Sequence, residues 1–153
     1  MISLLPDTLD APKALQIFQA EAAGAGAIVS FTGLVRPEGK HGQVEYLHLQ
    51  SHTPLTENGI EAAARQASSN WPLTHLTVLH RIGDIRPGEA IVFVATASLH
   101  RRTAFEAADF LMDYLKTEAF FWKKEVTSAG AYWIEPRAED YEDRGRWSPI
   151  EGA

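Results

Sequence analysis

The chain has 153 residues, with 14 Lys and Arg against 20 Asp and Glu, a formal charge of −6. That length suits a single domain able to remove about 70% of its unfolded surface from water, and an apolar share of 45% with 22% charged residues excludes a disordered or collagen-like chain. The absence of cysteine excludes a disulfide framework, a zinc–thiolate site, an iron–sulfur cluster and a cysteine nucleophile, and the acidic excess argues against a broad nucleic-acid-binding face.

Met1 to Lys13 lacks the apolar stretch of a secretory signal. Ala90 to Leu99, the longest strongly apolar run, is about half of what a membrane span needs. A cytoplasmic protein with no membrane partner is therefore expected. Asp10 and Pro12 signal a helix start, and Leu15, Phe18 and Ala22 keep helical spacing, which predicts a helix over Ala11 to Ala23. Ala27 to Val35 reads as a strand and Arg36 to Gly42 as a flexible Pro/Gly loop. Gln43 to Gln50 alternates, placing Val44, Tyr46 and His48 on one side and Glu45, Leu47 and Leu49 on the other. A helix from Pro54 to Asn70 precedes strands over His75 to Ile82 and Glu89 to Ser98, with a type II turn at Arg86-Pro87-Gly88-Glu89. Phe105, Ala108, Met112 and Leu115 form the apolar stripe of a helix over Arg102 to Thr117. Strands over Phe120 to Val126 and Ala131 to Ile134 flank a turn at Ser128-Ala129-Gly130, and Pro136 to Ala153 is a polar, mostly acidic tail. This order predicts one α+β domain over residues 1–153, with mostly antiparallel sheets and about three helices.

His100-Arg101-Arg102 stands where a strand gives way to a helix, a place whose free N–H groups attract anions and where cations are locally unfavourable unless they serve a ligand. Lys116 closes that helix. Lys123 and Lys124 point to opposite faces of the next strand, so at most one shares a pocket with Lys116. Phe120, Phe121 and Trp122 offer an apolar wall against which a lysine loses its preference for charge. Arg36 opens the Pro/Gly loop. No metal-ligand spacing, dinucleotide or P-loop fingerprint, or serine elbow occurs, so neither a metal nor a cofactor is expected. By themselves these residues describe a small acidic protein whose local cations bind a small anion, without naming it.

Several segments together carry a resemblance: Phe31-Thr32-Gly33-Leu34-Val35-Arg36, His80-Arg81-Ile82-Gly83 with Gly88-Glu89, His100-Arg101, Leu115-Lys116, and Phe121-Trp122-Lys123-Lys124-Glu125. In this order and spacing the chain, from about Gly24 to Arg137, resembles the large, catalytic subunit family of molybdopterin synthase. The resemblance implies an α/β hammerhead-type fold and a homodimer at the centre of a heterotetramer. It also implies a small ubiquitin-like partner whose C-terminal Gly-Gly carries a thiocarboxylate. The implied reaction is sulfur transfer to cyclic pyranopterin monophosphate, two sulfurs making the dithiolene of molybdopterin. Arg36, His100, Arg101 and Arg137 then correspond to pterin and phosphate contacts, Lys116 and Lys123 to catalytic lysines, and Lys124 and Glu125 to their pocket neighbours. A chain without cysteine has no persulfide of its own, so sulfur delivered by a partner fits the composition.

Gln50 and His52 replace the family's usual Glu and Tyr, and Phe120 replaces its common proline. Arg101 and Lys116 are 15 positions apart, roughly 22 Å along one helix. A shared pocket for a small pterin therefore implies two chains, Lys116 and Lys123 from one, His100, Arg101 and Arg137 from the other. The alternative is a non-catalytic adaptor for a ubiquitin-like tail or an anionic metabolite.

Overall fold

Asp10 accepts a hydrogen bond from the Lys13 backbone N–H at 3.1 Å and Pro12 lies in the first turn, so the chain enters its first helix where the capping signals place it. The computed structural model describes residues 1–117 and 121–147. In chain order its elements are β1 (Ile2–Leu5), α1 (Ala11–Glu21), β2 (Ala27–Leu34), β3 (Glu38–Gly39), β4 (Gly42–Ser51), α2 (Leu55–Asn70) and β5 (Leu73–Arg81). These are followed by β6 (Gly83–Ile85), β7 (Ala90–Ser98), α3 (Arg101–Thr117), β8 (Phe121–Thr127), β9 (Gly130–Ile134) and α4 (Ala138–Gly145).

One sheet has the order β1-β5-β7-β2, with β1 parallel to β5 and the other pairs antiparallel. The unbroken apolar run of β7 follows from burial on both faces. Val92 and Val94 pack with Ile60 of α2 and with Phe110, Leu111 and Leu115 of α3, while Phe93, Ala95 and Ala97 pack with Phe18 of α1. The second sheet runs β3-β4-β8-β9, with β6 also paired to β4, over a smaller cluster of Val35, Val44, Leu47, Leu49 and Ile85. The α+β class and the mostly antiparallel pairing agree with expectation.

Five local features differ from expectation. A β-bulge between Val44 and Tyr46 shifts the register of β4 against β8, so Val44 joins Leu47 and Leu49 on the buried face instead of opposing them. On α3 the buried stripe is Ala104, Ala107, Ala108, Phe110, Leu111 and Leu115, and Phe105 faces outward at 59% exposure. Small alanines, not the large aromatic, let α3 approach the sheet. The expected Pro/Gly loop contains the short hairpin strand β3. The expected polar tail contains a fourth helix, α4, whose acidic first turn and Arg144 in the last turn complement the helix dipole. β1, a four-residue strand with no alternation to betray it, is held at the sheet edge by Met1, whose amino group donates to the Leu76 carbonyl at 2.7 Å. The Phe120 departure lies outside the described residues.

Candidate active site

Arg36 is set in place by its neighbour. The Val35 N–H donates to the Glu89 carbonyl at 3.0 Å, and the Val35 carbonyl accepts from Gly88 N–H at 2.9 Å. This ties the end of β2 to the β6–β7 turn, where Glu89 N–H donates to the Arg86 carbonyl and Gly88 takes the positive φ of +86° that a type II turn requires. The turn is braced from below by the buried Arg81, whose guanidinium donates to Glu89 Oε2 at 3.0 Å and to the Asp84 carbonyl at 3.3 Å. The His80-Arg81 and Gly88-Glu89 segments are thus two halves of one support.

Lys116 reaches the same region from the last turn of α3, and Lys123 from β8, where it pairs with Leu49 on β4 and Ile134 on β9. Three adjoining hollows, of about 300, 170 and 420 Å³, meet at Arg36, Lys116 and Lys123. Lys116 and Arg36 are exposed at the rim and Lys123 is half-buried. Burial, and secondarily the charge on Lys116, pushes the Lys123 ammonium down to about 8, against a weaker opposing pull from Asp140.

Arg137 lines the first of these hollows with Lys116 and Lys123 of its own chain. This corrects the expectation that a second chain would supply it: β9 runs antiparallel to β8, so the segment after Ile134 returns past Lys123. Asp140, which sequence reasoning missed, sits in the same wall. Burial opposes its ionisation, yet the Arg137 N–H at 2.9 Å, the Arg137 guanidinium at 3.4 Å and the charge of Lys116 outweigh that and hold the carboxyl below its ordinary value. The signal was available as an acidic residue three positions after a helix boundary, the spacing of a capping box.

Glu125 lines the hollow of about 170 Å³. It is 9% exposed and its Oε1 has no hydrogen-bond partner among the described residues. A Cβ at Gly39 would overlap this carboxylate, so a side chain there would push the Glu125 head group aside. Lys124 is not brought to the cluster: it lies on the opposite face of β8, its Nζ 4.9 Å from the centre of the Trp133 ring. His100 and Arg101 line a separate hollow of about 680 Å³ at the entrance of α3, together with Leu99 and Phe105.

α4 is fastened to α3 through Asp113, which accepts from Arg146 at 2.8 Å and from the Trp147 indole at 2.6 Å, and Trp147 packs edge-on against Trp71 and Phe110. Asp113→Ala is expected to cost about 2 kcal/mol in denaturant unfolding and to expose α4 to protease; unchanged stability with a protected α4 would contradict this docking.

The family model described as "MoaE protein" matches residues 5–118. The chain belongs to the MoaE family. A molybdopterin synthase catalytic subunit from Cereibacter sphaeroides is 49% identical over 132 residues, covering 86% of this chain and 89% of the relative. One from Caulobacter vibrioides is 46% identical over 148 residues, covering 96% and 97%. A solved structure of a molybdopterin biosynthesis MoaE protein from Burkholderia ambifaria superposes with a TM-score of 0.80 at 36% identity, covering 96% of this chain and 97% of that one.

Proposed function

We propose that this MoaE protein transfers sulfur to cyclic pyranopterin monophosphate, receiving it from the C-terminal thiocarboxylate of a small ubiquitin-like subunit, and so makes molybdopterin. The carrying observation is that Arg36, Lys116 and Lys123, from three separate parts of the chain, meet where the hollows join, with burial lowering Lys123 to about 8. An acidic protein that gathers cations at one hollow, with an amine able to give and take protons there, suits a phosphorylated heterocycle and a carboxylate-like tail.

In the proposed reaction the thiocarboxylate sulfur attacks a side-chain carbon of the pterin, forming a C–S bond as the C–O bond breaks. The Lys116 ammonium stabilises the charge on the departing oxygen, and Lys123 passes it a proton. Water then cleaves the acyl–sulfur bond, leaving the thiolate on the pterin and a carboxylate on the partner. A second loaded partner repeats the transfer.

The His100–Arg101 hollow joins this scheme through a second copy of the chain. Exposed Phe31 and Leu34 flank the lysine hollow, and exposed Leu99 and Phe105 flank the other, so an apolar contact between two copies would cover both sets and bring the hollows together. His100 and Arg101 of one chain would then hold the phosphate facing Lys116 and Lys123 of its mate.

The test is incubation with thiocarboxylated partner and cyclic pyranopterin monophosphate, followed by mass analysis. A product carrying two added sulfurs is expected. Binding of both ligands without product would make the protein an adaptor.

A further inference from the structure

The lysine hollow is rich in hydrogen-bond donors. Arg36, Lys116 and Lys123 all present N–H groups to it. Such a wall attracts a phosphate or carboxylate, but it gives no partner to an N–H of a heterocycle and does not tell one edge of the ring from another.

His80, on β5, lines the part of the hollow measuring about 420 Å³. The residue is 5% exposed and its ring lies stacked on Phe121 at 4.0 Å with 19° between planes, which leaves it little freedom to turn. Nδ1 is 2.8 Å from the Arg81 carbonyl oxygen. A carbonyl only accepts, so Nδ1 carries the hydrogen and Nε2 is left as a lone pair. Nε2 has no hydrogen-bond partner among the described residues.

Burial lowers the imidazole pKa, the Arg81 carbonyl resists, and the charges on Lys123 of β8 and Lys116 of α3 add to the lowering, for a result of about 3. The ring is therefore neutral at the pH of ordinary enzyme work, and with Arg36 the charged groups around it are all cations. A carboxylate in its place would pair with Lys123 and hold it protonated; a neutral lone pair accepts a hydrogen bond without that effect.

We propose that His80 Nε2 is the acceptor for a ring N–H of the pterin substrate and thereby selects which edge of the heterocycle faces Lys116 and Lys123. This rests on the functional reading above and deepens it. A substrate bound the other way round would leave both the lone pair and its own N–H buried without partners, which is how a polar site discriminates strongly.

The experiment compares wild type, His80→Phe and His80→Gln by equilibrium dialysis with cyclic pyranopterin monophosphate and by turnover with thiocarboxylated partner. H80F keeps a ring against Phe121 and removes the lone pair; H80Q restores a carbonyl acceptor. H80F is expected to weaken substrate binding about tenfold, with a matching rise in KM, little change in kcat and unchanged KM for the partner. H80Q should recover most of the loss. His80→Leu replaces H80F in the comparison if the phenylalanine variant does not fold.

Wild-type binding by H80F, or an H80Q no better than H80F, overturns the proposal. So does a binding ratio of wild type to H80F that changes across the ordinary histidine pKa of about 6.5, which would make His80 a titrating acid or base. A wild type that binds the substrate but forms no product overturns the functional reading alone, because the binding ratio still tests His80; a wild type that binds no substrate overturns both.

Discussion

Replacing Lys116 with alanine is expected to cut product formation by at least about 100-fold, the usual loss when a donor to a developing negative charge is removed. Association with the ubiquitin-like partner should be nearly unchanged, since Lys116 is one exposed side chain at the rim of the hollow. Loss of charge stabilisation should appear in kcat more than in KM. Near-normal turnover would remove Lys116 from the proposed chemistry. The same variant tests the two-chain pocket. In a mixed dimer of Lys116→Ala and Arg101→Ala chains, a pocket built across the interface takes its lysine from one chain and its arginine from the other, so one of the two pockets is intact. Activity should therefore reappear on mixing two nearly inactive preparations. Were each pocket built within one chain, every pocket would carry a lesion and mixing would restore nothing.

The second large effect concerns pH. With Lys123 pushed down to about 8 by burial and by Lys116, the step in which its ammonium passes a proton to the departing oxygen should hold level below about 8 and slow as pH rises through that value. The Asp140 carboxylate pulls the value upward, so Asp140→Asn should move the inflection to lower pH, and Lys123→Arg, which keeps the charge but cannot release its proton, should lose the activity. An inflection unmoved by D140N would separate Asp140 from Lys123. Stability gives an independent reading of the same group. Its folded pKa lies below its ordinary 10.5, so the cost of holding the ammonium in the fold is fully present below pH 8 and is relieved as pH rises toward 10.5. Lys123→Met should therefore be more stable than wild type at neutral pH, and the difference should shrink over that interval.

Much of the architecture was legible because local rules and tertiary packing agree. The Asp10 cap, the Arg86–Glu89 turn, the doubly buried run of β7 and the opposite facing of Lys123 and Lys124 each follow from one short stretch of chain. Misreadings came where a neighbour overrules the local pattern. The bulge in β4 is set by its pairing with β8, so strict alternation put Val44 on the wrong face. The three-and-four spacing puts Phe105 on the apolar stripe, whereas the sheet accepts the alanines of α3 at that contact. α4 has no apolar stripe to announce it; what holds it is the distant pair of Asp113 and Trp147.

The residue types of the site, the lack of a sulfur donor among them, the order of the longer helices and strands, and the separation of Arg101 from Lys116 along one helix are readable from the chain alone. Packing settles which cations converge. It brought Arg137 to the lysines of its own chain, sent Lys124 to Trp133, added Asp140 to the wall and turned a neutral His80 toward the cavity. The reason is that convergence depends on strand pairing and on how α3 and α4 lie on the sheets, and these are fixed by contacts between residues far apart in the chain.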